Sequence, residues 1–229
     1  MSDPTNISYE AIQEELARSQ LAEAEQRRLS QALRQAGAAL NSTLDYQEVL
    51  DRILDAMSYV VPHDSSNIML IESDMVRVFR WRNYDWFGGD GYAGSITFKL
   101  ENVSLLRKMQ QHRQPLVIPY VARDPNWVYY KEEHRWIQSY AAAPIHSHGQ
   151  LIGFLNVNSA TPGFYTEADA ERLQAFADQA ALALENARLF EAERQRRQEA
   201  ENLRDRLEEL VAERTLPFKG QRAVKRTTC

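Results

Sequence analysis

Residues 166–214 constrain the fold more than any other part of the chain. They contain no proline or glycine, so they predict one uninterrupted helix of about 49 residues, or roughly 73 Å at ~1.5 Å per residue. The first half carries an apolar stripe of the kind that a helix buries against a core, while almost every residue after Phe190 is polar or charged. The stripe consists of Leu173, Phe176, Ala177, Ala180, Leu184 and Ala187. The pattern predicts a helix that covers a domain and then leaves it to connect with something else.

The length of the chain leaves room for one domain with extensions, and its charge bears on which partners it binds. It has 229 residues, of which 44% are hydrophobic and 26% charged. The 27 basic and 32 acidic residues give a net charge of -5, which offers no electrostatic reason to expect a nucleic acid partner. The basic residues near the end, Lys219, Arg222, Lys225 and Arg226, fall in residues 215–229, which are predicted to form a disordered tail.

Cysteine content and hydropathy indicate the cellular compartment in which the protein is expected. The one cysteine, Cys229, is the last residue, so no disulfide within the chain and no thiol nucleophile in the folded part are expected. The N-terminus lacks a basic segment followed by an apolar run, and no apolar stretch approaches ~18 residues. We therefore expect a cytoplasmic protein without membrane insertion.

The N-terminal residues 1–36 predict a second helix with an exposed role. Glutamate and arginine nearly balance there, and the apolar positions are sparse. They are Ile12, Leu16, Leu21, Leu29 and Leu33. Such a thin stripe favours pairing with another helix, such as its copy in a second chain, over burial in a core.

The region between these helices shows the pattern of an α+β domain. Asp45, with Glu48 three residues later, predicts the start of an amphipathic helix that ends before Pro62. Strands are predicted over residues 66–71, 75–82, 116–118, 139–145 and 151–157, a loop over 83–97 and a short helix over 102–112. Thr166 and Asp169 predict the start of the long helix.

Several motifs in this order resemble a GAF domain of the type found upstream of bacterial sensor histidine kinases. They are residues 41–45 (Asn-Ser-Thr-Leu-Asp), 143–145 (Ala-Pro-Ile), 149–157 (Gly-Gln-Leu-Ile-Gly-Phe-Leu-Asn-Val), 164–169 (Phe-Tyr-Thr-Glu-Ala-Asp) and 176–188, which begins Phe-Ala-Asp-Gln-Ala. The resemblance covers about residues 36–191. It implies an antiparallel sheet of about six strands with helices on both faces, and it places the N- and C-terminal helices opposite a small-molecule pocket.

The resemblance also implies parallel homodimers joined through long coiled-coil helices. Residues 207–215 resemble the signalling helix that often feeds a kinase output module, although no kinase sequence follows, so we expect a stand-alone sensor or a fragment of a longer one. The expected organisation is an N-terminal coiled coil over 1–36, the sensor domain over 37–190 and a signalling coiled coil over 191–214. The predicted dimerisation positions on one heptad register are Leu182, Asn186, Leu189, Leu203, Leu207 and Leu210.

Large aromatic residues are the strongest candidates for a ligand site. Pockets for small ligands are commonly lined by aromatic side chains with a few polar groups. The predicted ligand-binding residues are Trp81, Trp86, Tyr92, Phe98, Arg123, Trp127, Trp136, Tyr140 and Asn156. The same rings are also compatible with simple core filling, so the sequence leaves two functions open: a ligand sensor, or a dimerisation scaffold with a vestigial pocket.

Other chemistries are less well supported. The segment Gly89–Gly94 matches a dinucleotide fingerprint in its letters, but the residues after it do not open a helix and no βαβ unit surrounds it. His146 and His148 lack a third metal ligand nearby, so no metal site is expected. The absence of a cysteine in the core argues against a covalent bilin and against reductase activity on free methionine sulfoxide. No Asn-Lys dipeptide of the cyclic-nucleotide type is present. The protein is predicted to be non-enzymatic, and the sequence does not identify its ligand.

Overall fold

The computed structural model describes residues 9–88, 93–129 and 132–215. The helices are α1 (Tyr9–Leu40), α2 (Tyr46–Val60), α3 (Ser104–His112) and α4 (Glu167–Thr215). The strands are β1 (Ser65–Glu72), β2 (Met75–Arg82), β3 (Thr97–Lys99), β4 (Leu116–Ile118), β5 (Ser139–Ser147) and β6 (Gln150–Ser159).

Both helix starts expected from capping residues are present. The side chain of Asp45 accepts a hydrogen bond from the backbone N–H of Glu48 at 2.9 Å, which caps α2. Asp169 accepts hydrogen bonds from the backbone N–H of Thr166 at 2.9 Å and from its hydroxyl at 2.7 Å, just before α4. These local contacts fix where the two helices that cover the sheet begin.

The strands form one antiparallel sheet of six strands in the order β3-β2-β1-β6-β5-β4. Strands β1 and β6 lie in its middle, and β6 pairs along its length with β5 and over six positions with β1. This arrangement confirms the predicted α+β class and the expected strand number. Chain segments distant in sequence therefore meet at the centre of the sheet.

One face of the sheet packs against the helices. Because successive side chains of a strand point to opposite faces, Leu155 and Val157 of β6 enter this layer. They join α2 residues such as Leu54 and α4 residues such as Phe176 in one apolar cluster. The end of α1 also contributes through Ala36 and Leu40. The N- and C-terminal helices thus share this layer within the first part of the chain, as the resemblance implies.

The opposite face carries a second apolar cluster beneath α3 and the connecting loops. Phe154 of β6, Tyr140 of β5 and Val76 of β2 belong to it, together with Leu106 and Met109 of α3. This layer has fewer helices to cover it than the first one. It is the layer in which a cavity remains.

The structure corrects two details of the sequence interpretation. Helix α1 continues to Leu40, past the expected end at residue 36, because its last turn is buried. The segment predicted as loop over 83–97 leads into the edge strand β3, which pairs with Met75, Val76 and Arg77. His148 lies in the β5–β6 turn with Gly149, at φ of +48° and +77°, whereas His146 belongs to β5.

Contacts divide the chain into two compact units, one ending at Arg188 and the other beginning at Leu189. The described part of the second unit is helical and exposed, with ion pairs one turn apart such as Glu193–Arg197 and Glu208–Arg204. Its leucines at 203, 207 and 210 are at least half exposed. Across the described residues, no helix is both long enough and apolar enough to cross a membrane.

Candidate ligand pocket

A cavity lies on the sheet face opposite the helices of the first cluster. It leaves about 80 Å³ for the centres of water-sized molecules, inside an envelope of about 700 Å³ that includes open solvent. It is lined by Asn67, Met69, Val78, Tyr84, Ile96, Phe98, Val103, Leu105, Leu106, Asn126, Trp127, Val128, His134, Ile137, Tyr140 and Asn158.

The floor of the cavity is a buried hydrogen-bond network, which we call the polar floor: Ser65, Asn67, Tyr84, Tyr140, Asn156 and Asn158. Asn67 donates a hydrogen bond from Nδ2 to the Tyr84 hydroxyl at 2.6 Å. Asn158 donates from Nδ2 to the same hydroxyl at 3.2 Å and to Ser65 Oγ at 3.0 Å. These bonds tie β1, β6 and the segment after β2 together under the cavity.

The polar floor continues across the sheet to β5. Asn156 donates from Nδ2 to Asn67 Oδ1 at 2.8 Å, and the Tyr140 hydroxyl donates to Asn156 Oδ1. Asn67 and Asn156 are directly opposite each other in the β1–β6 register, as Tyr140 and Asn158 are in the β5–β6 register. Hydrogen bonding offsets the cost of burying these polar groups, which are all at most 6% exposed.

Burial raises the pKa of the Tyr84 hydroxyl above its usual value, and hydrogen bonds from Asn67, Asn158 and Ser65 partly oppose that rise. Tyr84 is therefore a neutral phenol at physiological pH. A neutral hydroxyl keeps its proton available as a donor while its oxygen accepts from the two asparagines.

Aromatic rings form one wall of the cavity. The ring of Trp127 meets Tyr140 edge-on, with centroids 5.0 Å apart, and meets Tyr129 in the same way at 6.1 Å. On another side, the buried His134 ring packs edge-on against Tyr84 at 6.4 Å. The Nε1–H of Trp127 is buried and has no hydrogen-bond partner among the residues that the structure describes.

The structure brings four of the predicted ligand-binding residues together. Phe98, Trp127 and Tyr140 line the cavity. Asn156 lies just behind the lining, where it connects Tyr140 to Asn67. Their role in ligand binding stays a prediction, although their placement is suitable for it.

The other predicted residues lie elsewhere. Trp86 is 70% exposed, and the Arg123 guanidinium lies 5.0 Å from the centroid of the Tyr120 ring at the surface. Trp81 lines a separate surface depression, where a Cβ at Gly94 would come within 2.7 Å of its ring. Trp136 packs against the second apolar cluster without lining the cavity. Tyr92 falls outside the described residues.

Sequence reasoning missed most of the polar floor. Asn67, Asn158 and Tyr84 are not among the ligand-binding residues that the sequence predicts, and neither is His134 of the cavity lining. A usable signal existed, because asparagines at 67, 156 and 158 interrupt strands that are otherwise apolar. Buried polar side chains at alternate strand positions share one face and require partners.

Comparison with known proteins agrees with this architecture. A model of the family described as GAF domain matches residues 43–185. Among curated proteins, no sequence matches the chain significantly.

Solved structures with the same fold come from proteins of several kinds. The GAF domain of a phosphoenolpyruvate-protein phosphotransferase from Coxiella burnetii superposes with a TM-score of 0.61 at 14% identity, over 72% of this chain and 98% of that one. Free methionine-R-sulfoxide reductase from Neisseria meningitidis, solved with its substrate, superposes with a TM-score of 0.57 at 16% identity, over 70% of this chain and 90% of that one. A methyl-accepting chemotaxis protein superposes with a TM-score of 0.56 at 20% identity, over 69% of this chain and 99% of that one. At these identities the likeness shows the fold, whereas the family match covers more than half of the sequence. The chain belongs to the GAF-domain family.

Proposed function

We propose that this protein is a non-enzymatic sensor that binds a small molecule in the cavity and passes its state to an output module through a helical homodimer. The observation that carries the proposal is the cavity itself. It lies on one face of the central strands, and its floor is made of side chains from β1, β5 and β6. The opposite face of the same strands packs against α1, α2 and α4.

This arrangement gives a physical route from ligand to helix. Asn156 belongs to the polar floor, while its neighbours Leu155 and Val157 belong to the helix-packing cluster with Phe176 of α4. A ligand that binds one arrangement of the floor more tightly shifts the population toward it. Because the strand is shared, the packing of α4 changes with that population.

Exposed apolar residues on α4 support the dimer. Leu182, Leu189 and Leu203 are 60%, 58% and 59% exposed, and Leu207 and Leu210 are at least half exposed. Their spacing of three and four residues follows the heptad pattern together with the exposed Asn186. Pairing with a second copy would remove these leucines from water. A kinase-type output, as in sensor histidine kinases, is the partner that we propose for the signal.

The described lining of the cavity favours binding over catalysis. It contains no serine, threonine, cysteine, lysine, aspartate or glutamate, and both of its tyrosine hydroxyls are hydrogen-bonded to asparagines of the polar floor. Although a free methionine-R-sulfoxide reductase shares the fold, the single cysteine of this chain is Cys229, outside the described residues.

Native mass spectrometry of the purified protein, followed by denaturing conditions and an absorbance scan, tests the proposal. We expect a dimer that carries extra mass, and this mass should leave on denaturation. A monomer, or a dimer that takes up no small molecule from any extract, would contradict the sensor function.

The dimer has its own matched test. Leu203→Lys with Leu207→Lys should give a monomer in light scattering, because two heptad positions then carry like charges. Tyr59→Lys, at a 79% exposed site on α2, is the control and should remain dimeric. An unchanged dimer in the double variant would show that α4 does not pair through this stripe.

A second function, a dimerisation scaffold without ligand, is favoured by the same exposed leucines. It predicts full dimerisation together with an empty cavity in every extract. The mass measurement therefore separates the two functions.

A further inference from the structure

We propose that Glu193 and Arg196 form the weakest point of the α4 homodimer, because each side chain faces its own copy on the second helix. The inference rests on the proposed helical dimer and specifies where its pairing is destabilised. It concerns the helix α4 alone, which continues from Glu167 to Thr215.

The first argument is the spacing of the pairing positions along α4. The residues that we propose for pairing follow one another at intervals of four and three, and the same intervals place three further positions between residues 189 and 203. If Asn186 is an a position, the next positions that face the partner helix are a, d and a. They are occupied by Glu193, Arg196 and Ala200.

The second argument is the charge of this middle section. The Glu193 side chain is 60% exposed and lies 2.5 Å from Arg197, one turn further along, so part of its charge is offset within the helix. Arg194 lies 3.7 Å from Glu191 in a similar pair. Arg196 is exposed and adds a third arginine to residues 194–197, at a position that faces the partner. We therefore expect the layer of two Arg196 side chains to be the more repulsive one.

The third argument concerns the direction of the second helix. Glu199 and Arg204 occupy the g and e positions that flank the core positions, where the side chains of two parallel helices meet. Their charges are opposite, so two parallel copies of α4 attract each other there. In this arrangement each core position meets the same position of the second copy. Glu193 then faces glutamate and Arg196 faces arginine, and like charges in contact oppose pairing.

The pairing of α4 is therefore divided into two apolar segments with a charged section between them. Leu182 and Leu189 form the first segment, and Leu203, Leu207 and Leu210 form the second. All five leucines are at least half exposed in the single chain, so their burial favours the dimer. The two charged layers oppose it. A change in the pairing of the helices therefore costs the least free energy in this middle section.

A charge-swapped chain tests this arrangement without any ligand. Glu193→Arg with Arg196→Glu exchanges the two core charges, so a heterodimer with the wild-type chain has opposite charges in both layers. Effects of the swap inside one helix are the same in homodimer and heterodimer and cancel from the comparison. One chain is ¹⁵N-labelled, because the swap leaves the mass unchanged. Native mass spectrometry then measures the three dimers once the composition of an equal mixture has stopped changing.

The matched control exchanges the same two charges on the outer face of the helix. Glu191→Arg with Arg194→Glu keeps the spacing of three residues, but these are f and b positions, which point away from the partner. This chain is mixed with the wild-type chain in the same way.

We expect the heterodimer of the core variant to exceed the random half of all dimers and to reach about three-quarters or more, because two repulsive layers become attractive. The heterodimer of the control should stay near half. Equal heterodimer fractions in the two mixtures would overturn the inference while leaving the homodimer in place. A core heterodimer below half would also overturn it, since antiparallel pairing places Glu193 opposite Arg196. If all chains stay monomeric, the inference fails together with the proposed helical dimer.

Discussion

The two faces of the sheet use alternate residues of the same strands, yet they differ in chemistry. Leu155 and Val157 lie in a continuous apolar layer with the helices, whereas Asn156 and Asn158 lie in the polar floor. The apolar face is stabilised by the burial of apolar side chains, which requires close packing but no particular bond direction. The cavity face is held by directed hydrogen bonds that leave open space above them. The comparison shows how one strand can supply both a packed core and a binding surface.

Leu155→Ala should have the largest effect, because it breaks the apolar face. Leu155 is fully buried in the helix-packing cluster, and truncating such a leucine lowers the free energy of unfolding by about 2–5 kcal/mol. Urea unfolding followed by circular dichroism measures the change. Leu44→Ala, at a site that is 44% exposed, is the control and should stay within about 0.5 kcal/mol. Equal losses in both variants would remove the distinction between core and surface at these sites.

Tyr84→Phe acts on the cavity face, because it removes the hydroxyl that accepts hydrogen bonds from both Asn67 and Asn158. The change leaves Asn67 Nδ2 without its acceptor and takes one of two acceptors from Asn158. We expect the free energy of unfolding to fall by about 1–3 kcal/mol, since buried donors become unsatisfied. The same urea experiment measures it, and Tyr59→Phe at an exposed site should be neutral. A neutral result for Tyr84→Phe would mean that the network does not stabilise the fold.

Alkaline pH tests the two faces separately, because each face contains one buried tyrosine. Burial raises the pKa of Tyr84 on the cavity face and of Tyr165 on the helix face. Above pH ~10 the unfolded chain releases these protons while the folded chain keeps them, so stability present below pH ~10 is lost as the pH rises. Each tyrosine therefore contributes to this fall, by at most about 1.4 kcal/mol per pH unit.

Urea unfolding between pH 9 and roughly 11.5 tests this linkage. Tyr84→Phe and Tyr165→Phe should each make the decline above pH ~10 shallower than in the parent protein. Slopes that match the parent in both variants would show that neither hydroxyl retains its proton in the folded state.

Tyr165→Phe at neutral pH should have the smallest effect. The Tyr165 hydroxyl is buried, and no described residue forms a hydrogen bond with it, so its removal takes away no partner. We expect a change between zero and a gain of about 1 kcal/mol in the free energy of unfolding. A loss of more than about 1 kcal/mol would instead indicate that this hydroxyl is hydrogen-bonded in solution. Tyr84→Phe is its matched counterpart on the other face.

Local patterns in the sequence were sufficient for most of the fold. The capping residues Asp45 and Asp169 and the apolar periodicity of α2 and α4 depend on neighbours a few positions apart. Strand β3 was missed because it has three residues in a loop rich in glycine and aromatic residues. Its pairing with Met75–Arg77 arises only in the folded sheet, so no local signal marks it.

The candidate site was harder to predict because it is assembled from distant segments. Aromatic content pointed to Phe98, Trp127 and Tyr140, which line the cavity, but equally to the exposed Trp86. Composition does not tell which rings turn inward. The contact between Asn67 and Asn156 joins residues 89 positions apart and depends on the register of β1 against β6.

The polar floor also has a consequence for how the chain finds its sheet. A slip of one residue between strands turns every side chain to the other face. If β6 slipped in this way, Asn156 and Asn158 would enter the apolar layer without partners, and Leu155 and Val157 would face the cavity. Only the native pairing satisfies all three asparagines at once. The floor therefore favours the native register of β1, β5 and β6 over a register that is shifted by one residue.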